Sequence, residues 1–212
     1  MPDSTEPPLD RRRQRGLRTR EALVQAALER FERFGFDKTT VDEIAADVGM
    51  SPRTLFHHFG SKEMLLFAGY AERLQEATRQ FRSCDPALPL TTALDATADS
   101  IVTAITAQSD VFLRRGRLQL VSPTLRATML RINEEWIDGL ALEIRRRLDL
   151  DVDDTGARLI AAISNGAMRV AIDAWVAADG AEDLATVAAT TQAIVRPAVA
   201  EFEQARRRVG AR

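Results

Sequence analysis

Cysteine is almost absent from this chain. Cys84 is the only one, which excludes a disulfide within the chain and suits a reducing compartment. Histidine is nearly as scarce. His57 and His58 are the only two; being adjacent, they project about 100° apart on a helix and cannot form a metal pair one turn apart. They also leave Cys84 without a histidine elsewhere to make a thiolate pair. No two glycines stand two positions apart, and none precedes a Lys-Ser or Lys-Thr pair. Both the dinucleotide fingerprint and the phosphate-binding loop are therefore missing. The adjacent acids Glu134-Glu135 and Asp153-Asp154 read as exposed carboxylates. The expectation is a protein that is not an enzyme, with no cofactor and no metal. Long apolar runs are lacking as well. The stretch Met64–Ala71 stops at eight residues, against the roughly 18 a membrane span needs. The N-terminus is polar and then arginine-rich, with no apolar segment of the kind a secretory signal carries. A cytoplasmic protein without a membrane partner is expected.

The 212 residues are 45% hydrophobic and 28% charged, with a net charge of −2. That is the balance of a globular protein rather than a disordered one, and it excludes a globally basic nucleic-acid coat. The charge is uneven, however. Residues 11–20 hold six arginines and no acid, so one end is able to approach phosphates; the same charge also serves to solvate an unstructured arm. Residues 1–16, with three prolines, read as a flexible basic arm.

Beyond the arm the pattern is helical almost throughout, with no alternating strand pattern and no hairpin turn. The fold class is all-α, with about nine helices. The first helix covers about 18–34, with Leu23, Ala27, Phe31 and Phe34 on one face, and ends at Gly35. Thr40-Val41-Asp42-Glu43 fits a capping box and opens a short helix that Gly49 breaks. Ser51-Pro52 then reads as a cap and first-turn proline for a very short helix to Phe59, anchored by Leu55, Phe56 and Phe59. Longer helices follow at about 62–82, 91–107, 110–120, 123–148, 155–178 and 183–207. Pro197 lies inside the last of these, where a kink or an early end is expected.

A short helix, a glycine turn and a second short helix form a helix-turn-helix. The second helix leaves Arg53, Thr54, His57 and His58 free to face outward, and such a helix fits the major groove. The caps Thr40 and Ser51 sit at helix N-termini, which suit phosphate oxygens. A tight helical corner within an all-helical domain would give the same pattern. The runs Thr39–Ala45, Val48–Ser51 and Thr54–Glu63 resolve the choice, because they resemble the N-terminal DNA-binding domain of the TetR family of bacterial regulators nearly position by position across residues 18–68. The resemblance implies a helix-turn-helix DNA-binding domain over 17–68 and a helical ligand-binding and dimerisation domain over 69–212. It implies that Thr40 caps and touches phosphate, that Arg53 and Thr54 sit at the reading end, that His58 lies near the DNA backbone, and that Lys62 contacts phosphate. At Phe56 the chain departs from the family, which usually has a tyrosine able to donate to phosphate.

In the C-terminal half, Ala161, Ala162, Ser164, Gly166, Ala167, Ala171 and Ala174 form a small-residue surface, and Val187, Thr191, Ile194, Ala198 and Phe202 a stripe on the next helix. Two such helices from each subunit suit a four-helix bundle in a homodimer; burial of both faces within one monomer is the other reading. The segment Arg114–Arg126 resembles the C-terminal domain of a TetR subgroup described as binding acyl-CoA-like ligands and including mycofactocin-associated regulators. A long-chain acyl-CoA needs an apolar tunnel and cations for its phosphates. Ile101, Ile105, Phe112, Met129, Ile132 and Trp136 are candidates for the first, and Arg114, Arg115 and Arg117 for the second. Such residues equally serve as core and as a solvated face. The sequence reads as a repressor that a small apolar effector releases from a near-palindromic double-stranded DNA operator. The competing reading is a helical adaptor or small-molecule-binding protein without sequence-specific DNA binding. Phe56→Tyr should keep or modestly raise DNA affinity in a binding titration; a clear loss would mean that this side chain does not face DNA.

Overall fold

The computed structural model describes residues 8–210. These form ten helices, and no strand occurs among the described residues. The chain divides into two compact units, Met1–Ala68 and Gly69–Arg212.

The first unit holds α1 (Pro8–Phe34), α2 (Val41–Asp47), α3 (Pro52–Phe59) and α4 (Lys62–Leu66). α1 starts inside the segment expected to be a flexible arm: residues 8–16 are helical, while 1–7 lie outside the described residues. Proline suits a first helical turn, and the arginines and glutamine that follow are good helix formers. Leu23, Ala27, Leu28 and Phe31 are buried, as are Ile44, Ala45, Leu55 and Phe59 on the helices that follow. Phe34, expected on the buried face, is exposed, with the guanidiniums of Arg30 and Arg33 5.8 and 5.0 Å from its ring centre. Arg30 also reaches α2, donating to Asp47 (Nη2 to Oδ1, 2.9 Å) and lying 3.6 Å from Glu43.

The helix expected over 62–82 is two helices, α4 and α5 (Tyr70–Ser83). Four successive residues, Leu65 to Ala68, are all buried. A continuous helix would turn some of them to solvent, whereas a tight turn keeps them inside. Gly69, at φ 76°, supplies the left-handed residue that turn needs. This break accounts for ten helices where nine were expected.

The second unit continues with α6 (Leu90–Thr106), α7 (Ser109–Val121), α8 (Pro123–Leu148), α9 (Thr155–Ala177) and α10 (Leu184–Gly210). α9 is its spine, packed between α8 and α10. Two apolar clusters fill the unit. One gathers Phe81, Leu90, Trp136, Leu140, Ile144, Ile160 and Val199; the other gathers Val102, Ile105, Met168, Trp175 and Leu184. α9 spans 23 residues, and its mean hydropathy over an 18-residue window is 1.3, enough in length and composition to cross a membrane. The expectation from short apolar runs missed this because Arg158, Ser164, Asn165, Arg169 and Asp173 break α9 into short runs while its average stays high. In the structure it is a core helix, carrying Ala161, Met168, Ala171 and Trp175 into the unit.

Charged groups fix the corners. Glu203 of α10 is buried and accepts the Leu90 amide at 2.8 Å, capping α6 where Pro89 offers no side-chain cap, while Arg207 holds its other oxygen at 2.8 Å. Arg147 donates to the carbonyls of Cys84, Asp85 and Leu88 and so gathers the loop between α5 and α6. α10 runs unbroken through Pro197 to Gly210, so the expected early end is absent. Pro197 is exposed, and water is available there to the carbonyl that loses its donor.

α7 approaches α9 at Gly116, where an added Cβ would lie 2.5 Å from a methyl of Val176. Gly116→Ala should therefore lower stability by about 1–3 kcal/mol, the usual cost of overpacking. Gly139 of α8, where a Cβ would meet nothing within 4 Å, is the control: Gly139→Ala should gain about 0.5–1 kcal/mol of helix propensity. Denaturant melts of the two variants check the pair, and equal effects would contradict this packing.

Candidate nucleic-acid interface and effector site

The first unit presents α3 as a short helix with an open face. Ser51 caps it: the Thr54 amide donates to Ser51 Oγ at 3.2 Å, and the Ser51 and Thr54 hydroxyls lie 2.9 Å apart. Pro52 fills the first turn and Gly60, at φ 75°, ends the helix. Leu55 and Phe59 are buried and hold α3 to the core. Phe56, expected as a third anchor, is instead 50% exposed; it lies on the face shared by Arg53 and His57, both exposed. Thr54 and His58 are half-buried, and the Thr54 hydroxyl turns back toward its cap. The open face is thus a cation, an aromatic ring and an imidazole.

α2 carries the capping box read from the sequence. The Thr40 amide donates to Glu43 Oε2 at 2.8 Å, and the Glu43 amide donates to Thr40 Oγ1 at 3.3 Å. The hydrogen bonds that Thr40 gives the Glu43 carboxyl, the backbone one first, hold it below its ordinary range. Lys62 is not brought to the open face. Its ammonium donates to the carbonyls of Phe36 (2.8 Å) and Thr39 (2.9 Å) and sits 4.2 Å from the Phe36 ring centre. Two of its three donors thereby close the link between α1 and α2.

In the second unit the expected effector residues separate. Ile105 and Phe112 join the cluster around Trp175, Trp136 joins the cluster around Leu140, and Ile101 touches both. Met129 and Ile132 are half-buried on α8. Arg117 is exposed and ion-paired to Asp179, and Arg114 is half-buried. Of the three expected cations only Arg115 is buried, and a fourth, Arg73, is half-buried near it. Arg73 of α5 lies over the rings of Tyr70 (5.5 Å) and Phe112 (4.5 Å), and Arg115 of α7 lies 6.0 Å from the centre of the same Phe112 ring. Arg115 is 6% exposed, and burial first, then the charge of Arg73, lowers its pKa to about 10. Burial pulls Arg73 down too. The Tyr70 hydroxyl donates to Asn133 of α8 at 3.0 Å, and burial pushes that phenol up to about 12. No sequence signal marks Arg73, because its aromatic partner Phe112 comes from a distant helix.

The small-residue surface on α9 also divides: Ala161, Ser164, Ala167 and Ala171 are buried within the monomer, and Ala174 is exposed. On α10, Val187 and Phe202 pack against the unit's own clusters, whereas Ile194 and Ala198 are exposed. Leu159 and Val170 of α9 are exposed apolar side chains as well. Among the described residues no group of three metal-ligating side chains occurs.

A capped helix-turn-helix followed by a larger helical unit is the build of a bacterial DNA-binding regulator. Residues 23–68 match the family described as bacterial regulatory proteins, tetR family, and residues 88–200 match the MftR C-terminal domain. TcmR, an HTH-type transcriptional regulator of Streptomyces glaucescens, is 33% identical over 171 residues, covering 77% of this chain and 76% of TcmR. A putative mycofactocin biosynthesis transcriptional regulator of Mycobacterium tuberculosis, MftR, is 25% identical over 154 residues, covering 73% and 78%. Among solved structures, FadR of Bacillus subtilis in complex with stearoyl-CoA superposes with a TM-score of 0.57 at 17% identity, covering 82% of this chain and 96% of that one. The chain belongs to the TetR family of transcriptional regulators.

Lys62→Gln should lower the stability of the first unit by about 1–3 kcal/mol through loss of the charged hydrogen bonds. The slope of log K against log salt for DNA binding should stay unchanged. A slope shallower by about one unit would put the ammonium on a phosphate instead.

Proposed function

We propose that the protein is a homodimeric repressor that reads a near-palindromic operator through α3 and leaves it when an apolar, acyl-CoA-like effector enters the second unit. The observation that carries this reading is the open face of α3, with Arg53, Phe56 and His57 exposed on a helix anchored by Leu55 and Phe59. Arg53 sits in the first turn, where a groove-bound helix meets base edges, and its guanidinium suits guanine. Phe56 offers a ring to a thymine methyl or a sugar rather than a donor to phosphate. Thr40, Ser51, Thr54 and His58 lie at or beside the helix ends and approach the phosphates; Lys62 positions the motif from behind. Such work places the protein in the cytoplasm.

The exposed apolar residues Leu159, Val170 and Ile194 supply a face for the second copy, which the family's DNA-binding mode requires. Two-fold symmetry then sets the two α3 helices about one DNA turn, ~34 Å, apart. The effector reading draws on the match to the MftR C-terminal domain and on the two apolar clusters that meet at Ile101. The ligand of FadR belongs to FadR; the likeness to it is one of fold.

Arg53→Ala should cost about 1–3 kcal/mol of operator affinity while leaving binding to random DNA nearly unchanged, in anisotropy titrations at fixed salt. An equal loss on both DNAs would make Arg53 a phosphate contact. Ile194→Glu should shift the protein from dimer to monomer in sedimentation. A dimer that persists would place the interface elsewhere.

A further inference from the structure

Arg73 is the side chain in the second unit whose placement packing alone does not explain. Its guanidinium lies over two aromatic rings, 4.5 Å from the centre of Phe112 and 5.5 Å from that of Tyr70. Its Nη2 is buried without a hydrogen-bond partner. Buried polar groups in folded proteins are hydrogen-bonded almost without exception, and a buried donor left unmade is costly. A second guanidinium, that of Arg115, lies on the same ring at 6.0 Å and is 6% exposed. Two like charges have thus been drawn together around Phe112, Arg115 buried and Arg73 half-buried. The charge of Arg73 adds to the cost of burying Arg115, Glu72 offsets part of the cost at Arg73, and an anion at the Nη2 edge would lower the cost further.

The surroundings match the binding of an amphiphile. Contact with the two rings holds the guanidinium in place, and its Nη2 is left to bond. A guanidinium edge takes a carboxylate or a phosphate in a two-pronged pair, geometry that lysine does not offer. Phe112 is also packed against the cluster of Val102, Ile105, Met168 and Trp175, so the ring that holds the cation adjoins apolar surface. Tyr70 and Asn133, bonded at 3.0 Å, add polar atoms on the α8 side.

We propose that Arg73, held over the rings of Tyr70 and Phe112 beside buried Arg115, is the group that binds the anionic head of the effector, a carboxylate or a phosphate. This rests on the effector reading above and narrows it: the ligand is an anion with an apolar tail, and its charge is read inside the second unit by α5 and α7. Of the cations marked by the sequence, Arg115 belongs to this group and Arg114 and Arg117 do not. Binding of the anion removes a repulsion between α5 and α7, so the ligand-bound state is the one in which these two helices sit stably together.

The test compares the full-length protein with Arg73→Met and Arg73→Lys, all checked for helical content, in calorimetry with sodium oleate, oleoyl-CoA and oleyl alcohol. Oleate and oleoyl-CoA separate a carboxylate from CoA phosphates, and the alcohol carries the tail without charge. At least one anionic probe should bind wild type and lose tenfold or more in affinity on Arg73→Met, less on Arg73→Lys, with the alcohol unchanged. Equal anion binding by Arg73→Met, or equal loss of the alcohol, overturns the proposal. Ligand-free melting is an independent readout. A half-buried charge with an unpartnered Nη2, kept for a ligand, destabilises the empty protein, so Arg73→Met should melt at or above wild type. A lower melting temperature would make Arg73 a structural residue and overturn the proposal. Should wild type bind none of the three probes, the apolar-effector reading falls, and the melting comparison alone decides the role of Arg73.

Discussion

The aim of the recognition helix depends on a lysine that does not face outward. α3 has eight residues and two buried anchors, too little apolar surface to hold its own orientation. What fixes it is the frame behind it, and the frame closes where the Lys62 ammonium spans the carbonyls of Phe36 and Thr39. Those carbonyls flank the link from α1 to α2. The buried Thr39 hydroxyl bonds the Gly35 carbonyl in the same link, and the Thr40–Glu43 box starts α2 immediately after it. Arg30 ties α1 to the far end of α2 through Asp47. Short helices in water are marginal alone; here α2, α3 and α4 each have a side-chain cap, and one cation joins the first and last elements of the motif.

The second unit is built on the opposite principle. Its helices are long, and apolar burial around α9 holds them, with buried Glu203 and Glu143 serving as fixed points for Leu90, Arg207, Arg82 and Arg146. Within that framework the Arg73, Arg115 and Phe112 group is the place where charge is buried against preference. A regulator needs some such place. A ligand shifts a conformational equilibrium only by its differential affinity for the two states, and a partly buried cation pair gives an anion a difference to act on.

Much of this was legible in the sequence, because the first unit is made of local signals. Caps, glycine turns and helical spacing place α2 and α3 to the residue, and the same signals bound α6 to α9 within a residue or two. What escaped depended on contacts between distant segments. Phe56 reads as an anchor by spacing yet is exposed, since α3 needs only Leu55 and Phe59 inward. The break at Gly69 is hidden in a helix-compatible run, and burial of all four residues from Leu65 to Ala68 reveals it. Lys62 carries a charge that sequence reasoning sends to phosphate, while carbonyls 23 and 26 residues earlier in the chain claim it. The arginine run 114–117 pointed to the right helix for a buried cation, but only the fold distinguishes Arg115 inside from Arg117 on the surface.

The most direct measurement is fluorescence anisotropy of the protein on labelled duplex from the region upstream of its own gene, titrated with oleoyl-CoA at constant salt. Tight binding that a palindrome-scrambled duplex does not reproduce is expected, with release of the operator as the ligand saturates. Equal binding to the scrambled duplex, or no binding at all, would contradict a ligand-released operator reader.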